Sequence, residues 1–484
     1  RVRIDPQGQG AKRRYPGRGP RKRRRTLRPD DRSPAQRPIL QSAEMKRAGA
    51  GRCGRTIRRQ RNAKSRTRAL SRLAVDSIGP QTSEGELLGT QTPAAAIVGI
   101  HEYPSRDVEG QVNPLQIKAS SAARALADAG LTWRDVDAIY DAGEAGPMSG
   151  FTISEYFGIH PNVIDTTNVG GSSYEYHAAH AARDIASGKA RVALLTYGST
   201  AHSNMQRIGV GGRGHGGIGP ADNMEVFTGM TLVANYAMVA RRHMHQYGTT
   251  SEQLAEIATA TRYHAMRNPE AVAAMHALEF LNIRETTIAD VVNSRMIADP
   301  LHLLECCMIS DGGGAVVIAA PEVARDCKQS PVWILGSGEA TRYPENGRDM
   351  TVTAAVQSGP QAFAEAGVRP DEIDVAMIYD SFTITVLSIL EDLGFCPKGE
   401  GGRWVEGGRL RFDQSGGPAL NTDGGGLSSN HPGMRGIFLL IEAARQLRGQ
   451  STSQVPNARL ALAHGNGGML GTRHCASTII LGRD

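Results

Sequence analysis

The sequence predicts an α/β fold in which one structural unit occurs twice, and two observations support it. The first is a set of internal repeats in the same order in both halves. The matched segments are "AAIVGI" (95–100) with "VWILGSG" (332–338), "LADAGL" (126–131) with "FAEAGV" (363–368), "IYDAG" (139–143) with "IYDSF" (378–382), and "ARDIASGKARVALLTYG" (182–198) with "ARQLRG…NARLALAHGN" (444–466). The second is that strand-like and helix-like segments alternate, which predicts βαβ units and largely parallel sheets.

Each half reads in order as strand, amphipathic helix, strand, helix and strand. The first helix of each half runs into a glycine, Gly130 or Gly367, and glycine is the usual residue just past a helix C-terminus. Asp137 in the first half falls on Asp374 in the second. These agreements predict that the two halves, 93–330 and 331–484, share one architecture.

The segment "TTNVGGSSYEYHAAH" at 166–180 forms what we call the opening turn and the start of the helix after it. A strand-like pair, Val163 and Ile164, leads into small residues and then into an alanine-rich helix. A helix N-terminus favours an anion and is a common seat for a nucleophile. This turn offers Gly171 and Ser172 but no cysteine.

A segment of roughly 200–310 has no counterpart in the second half, and it is predicted to be an inserted, largely helical loop domain. The N-terminal segment 1–92 is predicted to be a disordered Arg-rich tail, because it is poor in apolar residues and cannot form a core. Residues 1–73 hold 25 of the 55 Lys and Arg residues and only four acids, a local charge of +21. The remainder carries −14, so the acidic body does not predict a nucleic-acid partner.

Composition also bears on the compartment. No run of 18 apolar residues occurs, so no transmembrane helix is expected. The six cysteines show neither the spacing of a metal site nor a disulfide framework, and a reducing cytoplasm is the expected location. His177 and His180 stand three apart on one helix without a third ligand, so no metal is expected there.

Four further blocks resemble the thiolase superfamily, nearest to the sterol-carrier-type thiolases and the thiolase-like lipid-transfer aldolases of steroid side-chain degradation. The blocks are "PLHLLECCMISDGGGAVVIA" (300–319), "IYDSFTITVLSILEDLGFCPKGEGG" (378–402), "NTDGGGLSSNHPGMRG" (421–436) and "HGNGGMLG" (464–471). The resemblance covers roughly 93–484. It implies a duplicated thiolase fold layered αβαβα, with an acyl-CoA substrate and no separate cofactor.

Departures from the family pattern decide the expected chemistry. The family's acyl-carrying cysteine falls at Gly171, its second cysteine at His464, and its first oxyanion-hole residue at Tyr379. The His of the Gly-His-Pro block is kept as His431, with Asn430 before it. By resemblance, the catalytic candidates are Tyr379, His431 and His464. The substrate-binding candidates are Gly171, Ser172, Asn421, Gly424, Gly425 and Gly467.

A Claisen condensation needs a covalent acyl carrier, which Gly171 cannot be, and a serine in a Gly-Ser-Ser turn is usually a helix cap. A retro-aldol cleavage needs only a base, an oxyanion hole and a proton donor, and Tyr and His serve these roles. The leading hypothesis is therefore retro-aldol cleavage of a 3-hydroxyacyl-CoA with a bulky, steroid-like acyl group. Each candidate residue also has a structural interpretation, as a tyrosine or histidine with satisfied hydrogen bonds.

Two alternatives remain open at this point: an acetyl-CoA acetyltransferase-type enzyme with an unrecognised nucleophile, and a non-catalytic acyl-CoA or lipid carrier or complex subunit. The carrier hypothesis gains if Tyr379 and His431 lie apart, and the enzyme hypothesis gains if they share one site. The resemblance also implies a homodimer and a small OB-fold partner with a zinc ribbon. Residues 163–185 are small and apolar enough to pack against their copy.

Overall fold

The structure is a computed structural model that describes residues 93–143, 148–204, 232–280, 282–343 and 349–483. The predicted tail, and residues 205–231 of the predicted loop domain, lie outside these ranges. The strands are β1 (Ala96–Glu102), β2 (Ala138–Asp141), β3 (Val163–Asp165), β4 (Val192–Ser199), β5 (Met296–Ala298), β6 (Leu301–His302), β7 (Gly312–Ala319), β8 (Val332–Arg342), β9 (Val375–Ile378), β10 (Ala419–Leu420), β11 (Leu460–Gly468) and β12 (His474–Gly482).

The helices of the described residues fall into the two halves and the segment between them. They are α1 (Pro114–Ala129), α2 (Ser149–Phe157), α3 (Ser173–Ala186), α4 (Leu232–Tyr247), α5 (Ser251–Ala265), α6 (Pro269–Ala277), α7 (Ile288–Val292), α8 (Pro321–Ala324), α9 (Ala355–Ala366), α10 (Thr383–Asp392), α11 (Gly401–Trp404), α12 (Gly425–Ser428) and α13 (Gly436–Leu447). None of these helices combines the length and apolar character that a membrane crossing requires.

One ten-stranded sheet runs through both halves in the order β10-β9-β11-β12-β8-β1-β7-β4-β2-β3. The order within one half repeats in the other, and the halves join where β1 pairs antiparallel with β8. The prediction of a largely parallel sheet is wrong: the outer strands of each half are parallel, but β11, β12, β8, β1, β7 and β4 pair antiparallel in turn. The last strand of each half therefore pairs antiparallel with the first strand of that half. The alternation of strands and helices along the sequence does not reveal this pairing.

Three apolar clusters define the predicted layers. The central cluster joins α3 and α13 to strand residues of both halves, including Tyr140 and Tyr379. A second cluster packs α1 against the outer face of the first half. A third packs α4, α5, α9 and α10 against the outer face of the second half. The arrangement confirms the αβαβα order, with two central helices between the two halves of the sheet.

The glycines at matched positions have the same structural role in both halves. A Cβ at Gly99 would lie 2.1 Å from the Ala125 carbonyl oxygen of α1, and one at Gly336 would lie 2.3 Å from that of Ala362 of α9. Glycine at these matched positions thus lets each helix lie directly on its strand. Gly130 and Gly367 have φ values of +79° and +67°, as the helix-ending prediction requires.

The matched aspartates fix the start of a strand in each half. Asp137 accepts the backbone N–H groups of Arg191 and Val192, at 3.0 and 2.9 Å. Asp374 accepts those of Arg459 and Leu460, at 2.7 and 3.0 Å. The duplication inferred from sequence is therefore a duplication of hydrogen bonds as well as of residues.

Candidate active site

The opening turn has the predicted form. After β3, residues Gly170–Ser172 make one 3-10 turn, and α3 begins at Ser173. The Ser173 hydroxyl closes the turn, since it donates to the Gly170 carbonyl at 2.6 Å and accepts the Val169 N–H at 3.0 Å. The expectation that Ser172 caps the helix is wrong, because its hydroxyl donates to the Cys475 carbonyl at 3.3 Å.

Gly171 faces the ring of Tyr379. A Cβ built on Gly171 would lie 2.2 Å from Cε2 and 2.4 Å from Cζ of Tyr379, and 2.5 Å from the Asn466 carbonyl oxygen. Carbon atoms that are not bonded keep about 3.5–4.0 Å apart. The position where a nucleophilic side chain would begin is therefore filled by the tyrosine ring.

Tyr379 follows β9 directly and is 5 % exposed. Its N–H donates to the His464 carbonyl at 2.9 Å, and its hydroxyl donates to the Gly433 carbonyl at 3.3 Å. Burial, followed by the neighbouring Cys307 thiol, raises the pKa of Tyr379 well above its ordinary value. The phenol thus stays protonated at neutral pH and can donate a hydrogen bond.

His431 and Tyr379 share one site, with ring centroids 5.5 Å apart and planes at 84°. Neither ring nitrogen of His431 has a hydrogen-bond partner among the described residues. Burial, and then the Arg435 guanidinium, lowers the pKa of His431 to about 4. A helix N-terminus is not the cause, because α13 begins only at Gly436 and the helix dipole acts within about one turn.

His464 does not join this pair through its side chain. β11 continues through His464 to Gly468, so the residue lies within the strand and not after it. Its Nδ1 bonds the Thr478 hydroxyl at 2.8 Å, and Thr478 bonds Ser358 of α9 at 2.9 Å. The neighbouring Gly465 faces Ser172, at 2.6 Å between its Cβ position and the Ser172 Cα. Since strand side chains alternate, the His464 ring points away from the opening turn.

The predicted binding side chain of Asn421 is already occupied. Its amide accepts the Ile378 N–H and donates to the Ile378 carbonyl, both at 2.8 Å. The backbone of Asn421 adopts a φ of +45° to make this possible. Asn421 therefore adds two hydrogen bonds to the backbone of Ile378, the last residue of β9. Its amide is used in these bonds to the protein and not for a ligand.

The predicted binding glycines have packing roles in the structure. A Cβ at Gly425 would lie 2.1 Å from Oδ2 of Asp380, and one at Gly424 would meet α5 at 2.6 Å. A Cβ at Gly467 would lie 1.7 Å from the Val169 carbonyl oxygen. These glycines allow α12 and the end of β11 to approach the site closely, and ligand contact by them stays a prediction.

Sequence reasoning missed Tyr236 and Asn466. Tyr236 of α4 is 1 % exposed, and its hydroxyl accepts the Asn466 side-chain N–H at 3.2 Å. It lies near enough to raise the pKa of Tyr379, after burial and other neighbours. Asn466 belongs to the quoted "HGNGG" turn and was a visible candidate, whereas Tyr236 lies in the inserted segment and had no matching motif.

A cavity of about 670 Å³ lies beside the pair and falls within the range of about 300–1,000 Å³ that holds a drug-sized ligand. Its wall is mainly apolar and includes Cys306 and Cys307. Burial raises the pKa of the Cys307 thiol, which argues against a thiolate nucleophile. The apolar wall is formed by Phe280, Leu303, Leu304, Cys307, Met308 and Leu427.

One group of side chains among the described residues has the spacing of a metal site. Asp107, His202 and Asp311 each bring one ligand atom within 4.8 Å of the others. The Asp311 carboxylate accepts the backbone N–H groups of Val108 at 2.9 Å, His202 at 2.9 Å and Ser203 at 3.0 Å. These bonds account for the carboxylate structurally, and we assign no metal to the group.

Comparison with known proteins adds to this geometry. Residues 336–483 match the family described as Thiolase C-terminal domain-like. The chain is 33 % identical to a steroid side-chain-cleaving aldolase of Thermomonospora curvata, over 81 % of this chain and 98 % of that protein. It is 40 % identical to an acetyl-CoA acetyltransferase of Methanothermobacter thermautotrophicus, but over 51 % of this chain and only 63 % of that protein. A solved structure described as an Ltp2–ChsH2(DUF35) aldolase superposes with a TM-score of 0.70 and 31 % identity, over 81 % of this chain and 98 % of the other.

Proposed function

We infer the function of this chain from its family, because it belongs to the thiolase superfamily and matches a steroid side-chain-cleaving aldolase over nearly that protein's whole length. We propose that it cleaves the Cα–Cβ bond of a 3-hydroxyacyl-CoA by a retro-aldol reaction. The observation that carries the proposal is the Tyr379 ring lying 2.2 Å from where a Cβ at residue 171 would be. The opening turn thus has neither a nucleophile nor the space for one.

The proposed reaction uses His431 and Tyr379 in place of a covalent nucleophile. His431, neutral at physiological pH, accepts the proton of the β-hydroxyl. The electrons of the O–H bond form the second C–O bond at Cβ, which gives the ketone. The Cα–Cβ bond breaks at the same time, and its electrons move into a thioester enolate. Tyr379 donates a hydrogen bond to the enolate oxygen. The proton taken by His431 returns to Cα, so ketone and shortened acyl-CoA form without a cofactor, water or free CoA.

The acyl group is assigned to the apolar cavity. Cys307 lines the cavity and also lies near Tyr379, so this residue joins the cavity wall to the neighbourhood of the reacting pair. A mainly apolar volume of about 670 Å³ suits a bulky polycyclic or branched acyl group. The Thermomonospora relative is named for cleaving a steroid side chain, and we propose a steroid-like acyl group for this chain.

The test is cleavage of a 3-hydroxyacyl-CoA with a tertiary β-carbon, following ketone and shortened acyl-CoA together. We expect the two products in equal amounts and a rate that does not depend on added CoA. Thiolytic acyl transfer consumes free CoA, so a rate proportional to CoA would favour the acetyltransferase alternative, which the Methanothermobacter match keeps in view. Absence of cleavage with and without a partner would favour the carrier hypothesis, although Tyr379 and His431 lie together as the enzyme hypothesis requires.

A further prediction is that no acyl-enzyme accumulates. Incubation with acyl-CoA followed by intact-mass measurement is expected to show the unmodified chain, because Gly171 carries no nucleophile and Ser172 is bonded to a carbonyl. A cysteine-containing thiolase treated in parallel serves as the positive control. An adduct that maps to Ser172, and is lost in Ser172→Ala, would overturn the aldol mechanism in favour of acyl transfer.

We propose a homodimer formed through β3 and its neighbour α2. β3 is an edge strand of the described sheet; its Ile164 is 48 % exposed, and Phe151 and Tyr156 of α2 are 61 and 52 % exposed. An uncovered apolar edge is a liability that pairing with a second copy removes. Light scattering is expected to report a dimer for the parent and for Met296→Asp, an exposed apolar site on β5, but a monomer for Ile164→Asp. A dimeric Ile164→Asp variant would place the interface elsewhere.

We also propose a small OB-fold partner with a zinc ribbon. The support is the solved aldolase, whose description names a DUF35 component, together with the resemblance of this chain to it. Cleavage is therefore measured with and without a candidate partner, and co-elution in gel filtration reports the complex.

The described cysteines Cys306, Cys307, Cys327, Cys396 and Cys475 are free thiols, which supports the cytoplasm as the compartment.

A further inference from the structure

A fully buried arginine, Arg435, lies at the centre of the site. Its Nη2 bonds both carboxylate oxygens of Asp423, at 2.7 and 2.6 Å. Its Nη1 bonds the backbone carbonyl of Asn430 at 3.2 Å and the side-chain oxygen at 2.6 Å. Its Nε lies 3.1 Å from Oδ1 of Asp380, in an ion pair that lacks hydrogen-bond geometry. One side chain thus joins three segments of the chain.

Two of these partners stand next to the proposed catalytic residues. Asp380 directly follows Tyr379, and Asn430 directly precedes His431. The guanidinium is planar and presents five donors in a fixed fork, so it sets the distance between its partners as well as holding them. The relative position of Tyr379 and His431 is therefore tied to a single rigid group.

The side chains also meet around Gly426. A Cβ built on Gly426 would lie 3.0 Å from Oδ1 of Asp380, 3.1 Å from Cδ2 of His431 and 3.2 Å from Cδ of Arg435. Asp380 is fixed on this side by the Gly426 N–H at 2.8 Å and the Leu427 N–H at 3.2 Å. Asp380, His431 and Arg435 thus all approach the backbone of Gly426.

The charge of Arg435 acts on the same residues. After burial, its positive charge is the next cause that lowers the pKa of His431, and it opposes the rise in the pKa of Tyr379. A charge acts strongly across the low dielectric of a buried site. Together with burial it lowers the pKa of His431, and it favours the negative charge that develops on the enolate.

We propose that Arg435 is the positioning residue of this site, which fixes Tyr379 and His431 against each other through Asp380 and Asn430. The inference rests on the retro-aldol function proposed above. Arg435 acts through its neighbours and is not assigned contact with the substrate. Its side chain is distinct from the candidates that sequence motifs indicated.

The first half supplies a matched control. Asp141 stands at the position equivalent to Asp380 in the repeat, and it also holds a fully buried cation, Lys118, at 2.6 Å. Tyr140, equivalent to Tyr379, donates its hydroxyl to Asp184 at 2.9 Å. A buried carboxylate–cation pair therefore occurs in the first half too, next to a tyrosine whose hydroxyl is bonded to an aspartate of the protein.

The experiment compares Arg435→Lys, Arg435→Met and Lys118→Met with the parent, each first checked for folding by circular dichroism and thermal melting. Arg435→Lys keeps the charge but loses the fork, and we expect kcat to fall about 10-fold or more with KM within about threefold. Arg435→Met also loses the charge, so the acid limb of kcat/KM is expected to move to higher pH. Lys118→Met is expected to lower the melting temperature while kcat and the pH profile stay those of the parent.

The direction of the pH shift follows from the groups that face His431. These are Tyr379, Asp380 and Arg435, with Cys307 on the far side of the tyrosine. Without Arg435 the repulsion that contributes to the lowered pKa of His431 disappears, so that pKa is expected to rise. Activity requires neutral His431. As the pH falls, the variant is therefore expected to lose activity at a higher pH than the parent does.

A readout independent of turnover separates this inference from the proposed function. In protein labelled at histidine Cε1, the resonance that disappears in His431→Gln is assigned to His431 and titrated by NMR. We expect its pKa to rise in Arg435→Met and to be unchanged in Lys118→Met, whether or not the parent cleaves the test substrate. Should Arg435→Met fail to fold, Asn430→Ala is used, with a fall in kcat expected at unchanged KM. An unmoved His431 titration, or an unchanged kcat in Asn430→Ala and Arg435→Lys, would overturn the assignment.

Discussion

Replacing Tyr379 with phenylalanine is expected to slow cleavage by about 10²- to 10³-fold, the usual effect of deleting one donor to a developing oxyanion. The change removes one hydroxyl, bonded only to the Gly433 carbonyl at 3.3 Å, and keeps the ring that packs against Gly171. KM is expected to change far less, since the hydrogen bond strengthens as charge develops. Product formation under saturating substrate measures the effect.

Tyr140→Phe is the matched control for this variant. Tyr140 occupies the equivalent place in the first half, and its hydroxyl donates to Asp184 at 2.9 Å. Its loss is expected to affect stability alone. A Tyr379→Phe variant as fast as the parent would end the proposed role of the hydroxyl.

His431→Ala is expected to reduce cleavage by about 10²- to 10⁴-fold, the range typical of a general base. The ring bonds no described residue through its nitrogens, so its removal breaks no hydrogen bond there. The double variant with Tyr379→Phe is expected to be barely slower than the poorer single variant, because groups acting as a unit are not additive. Additive losses would indicate two independent roles.

Gly171→Ala is expected to reduce cleavage by at least about 10²-fold although the new methyl group has no chemistry of its own. The Cβ would lie 2.2 Å from the Tyr379 ring and 2.5 Å from the Asn466 carbonyl, so the ring must shift, which changes its position relative to His431. A displacement of about 1 Å at a reacting group can cost 10²-fold. The overpacking is also expected to lower the free energy of unfolding by about 1–3 kcal/mol.

The cause of that destabilisation is testable by a second substitution. In the background of Tyr379→Leu, where the ring is absent, Gly171→Ala is expected to cost less stability than in the parent, as contacting sites are not additive. The remaining cost comes from the Asn466 backbone, which does not change. Ser172→Ala, one residue away, is the control and is expected to keep activity within a few-fold of the parent. A fully active Gly171→Ala would show that the turn has room for a side chain.

Much of the fold followed from local features of the chain. The glycine pairs Gly99 with Gly336 and Gly130 with Gly367 were visible as repeats because close packing and a positive φ both demand glycine wherever they recur. Sheet direction was not visible, since a strand that returns antiparallel carries the same apolar pattern as one that continues in parallel. The antiparallel pairing of β1 with β7 is a property of the assembled sheet.

The candidate site, like the fold, was predictable from the sequence only in part. The absence of a nucleophile at Gly171 and the presence of Tyr379 and His431 were properties of the sequence, because residue identity alone decides which covalent chemistry is available. The direction of His464 was not, since it depends on β11 extending to Gly468, and each strand residue alternates between faces.

The sequence by itself thus determined the duplicated architecture, the family resemblance and the loss of covalent catalysis at the opening turn. Only the tertiary structure decided that the Tyr379 ring fills the vacated space, that His464 faces away, and that Arg435 joins Asp380 to Asn430. The physical reason is separation along the chain. Gly171 and Tyr379 come from different halves, and their fit depends on distances of a few tenths of an ångström that no local pattern encodes.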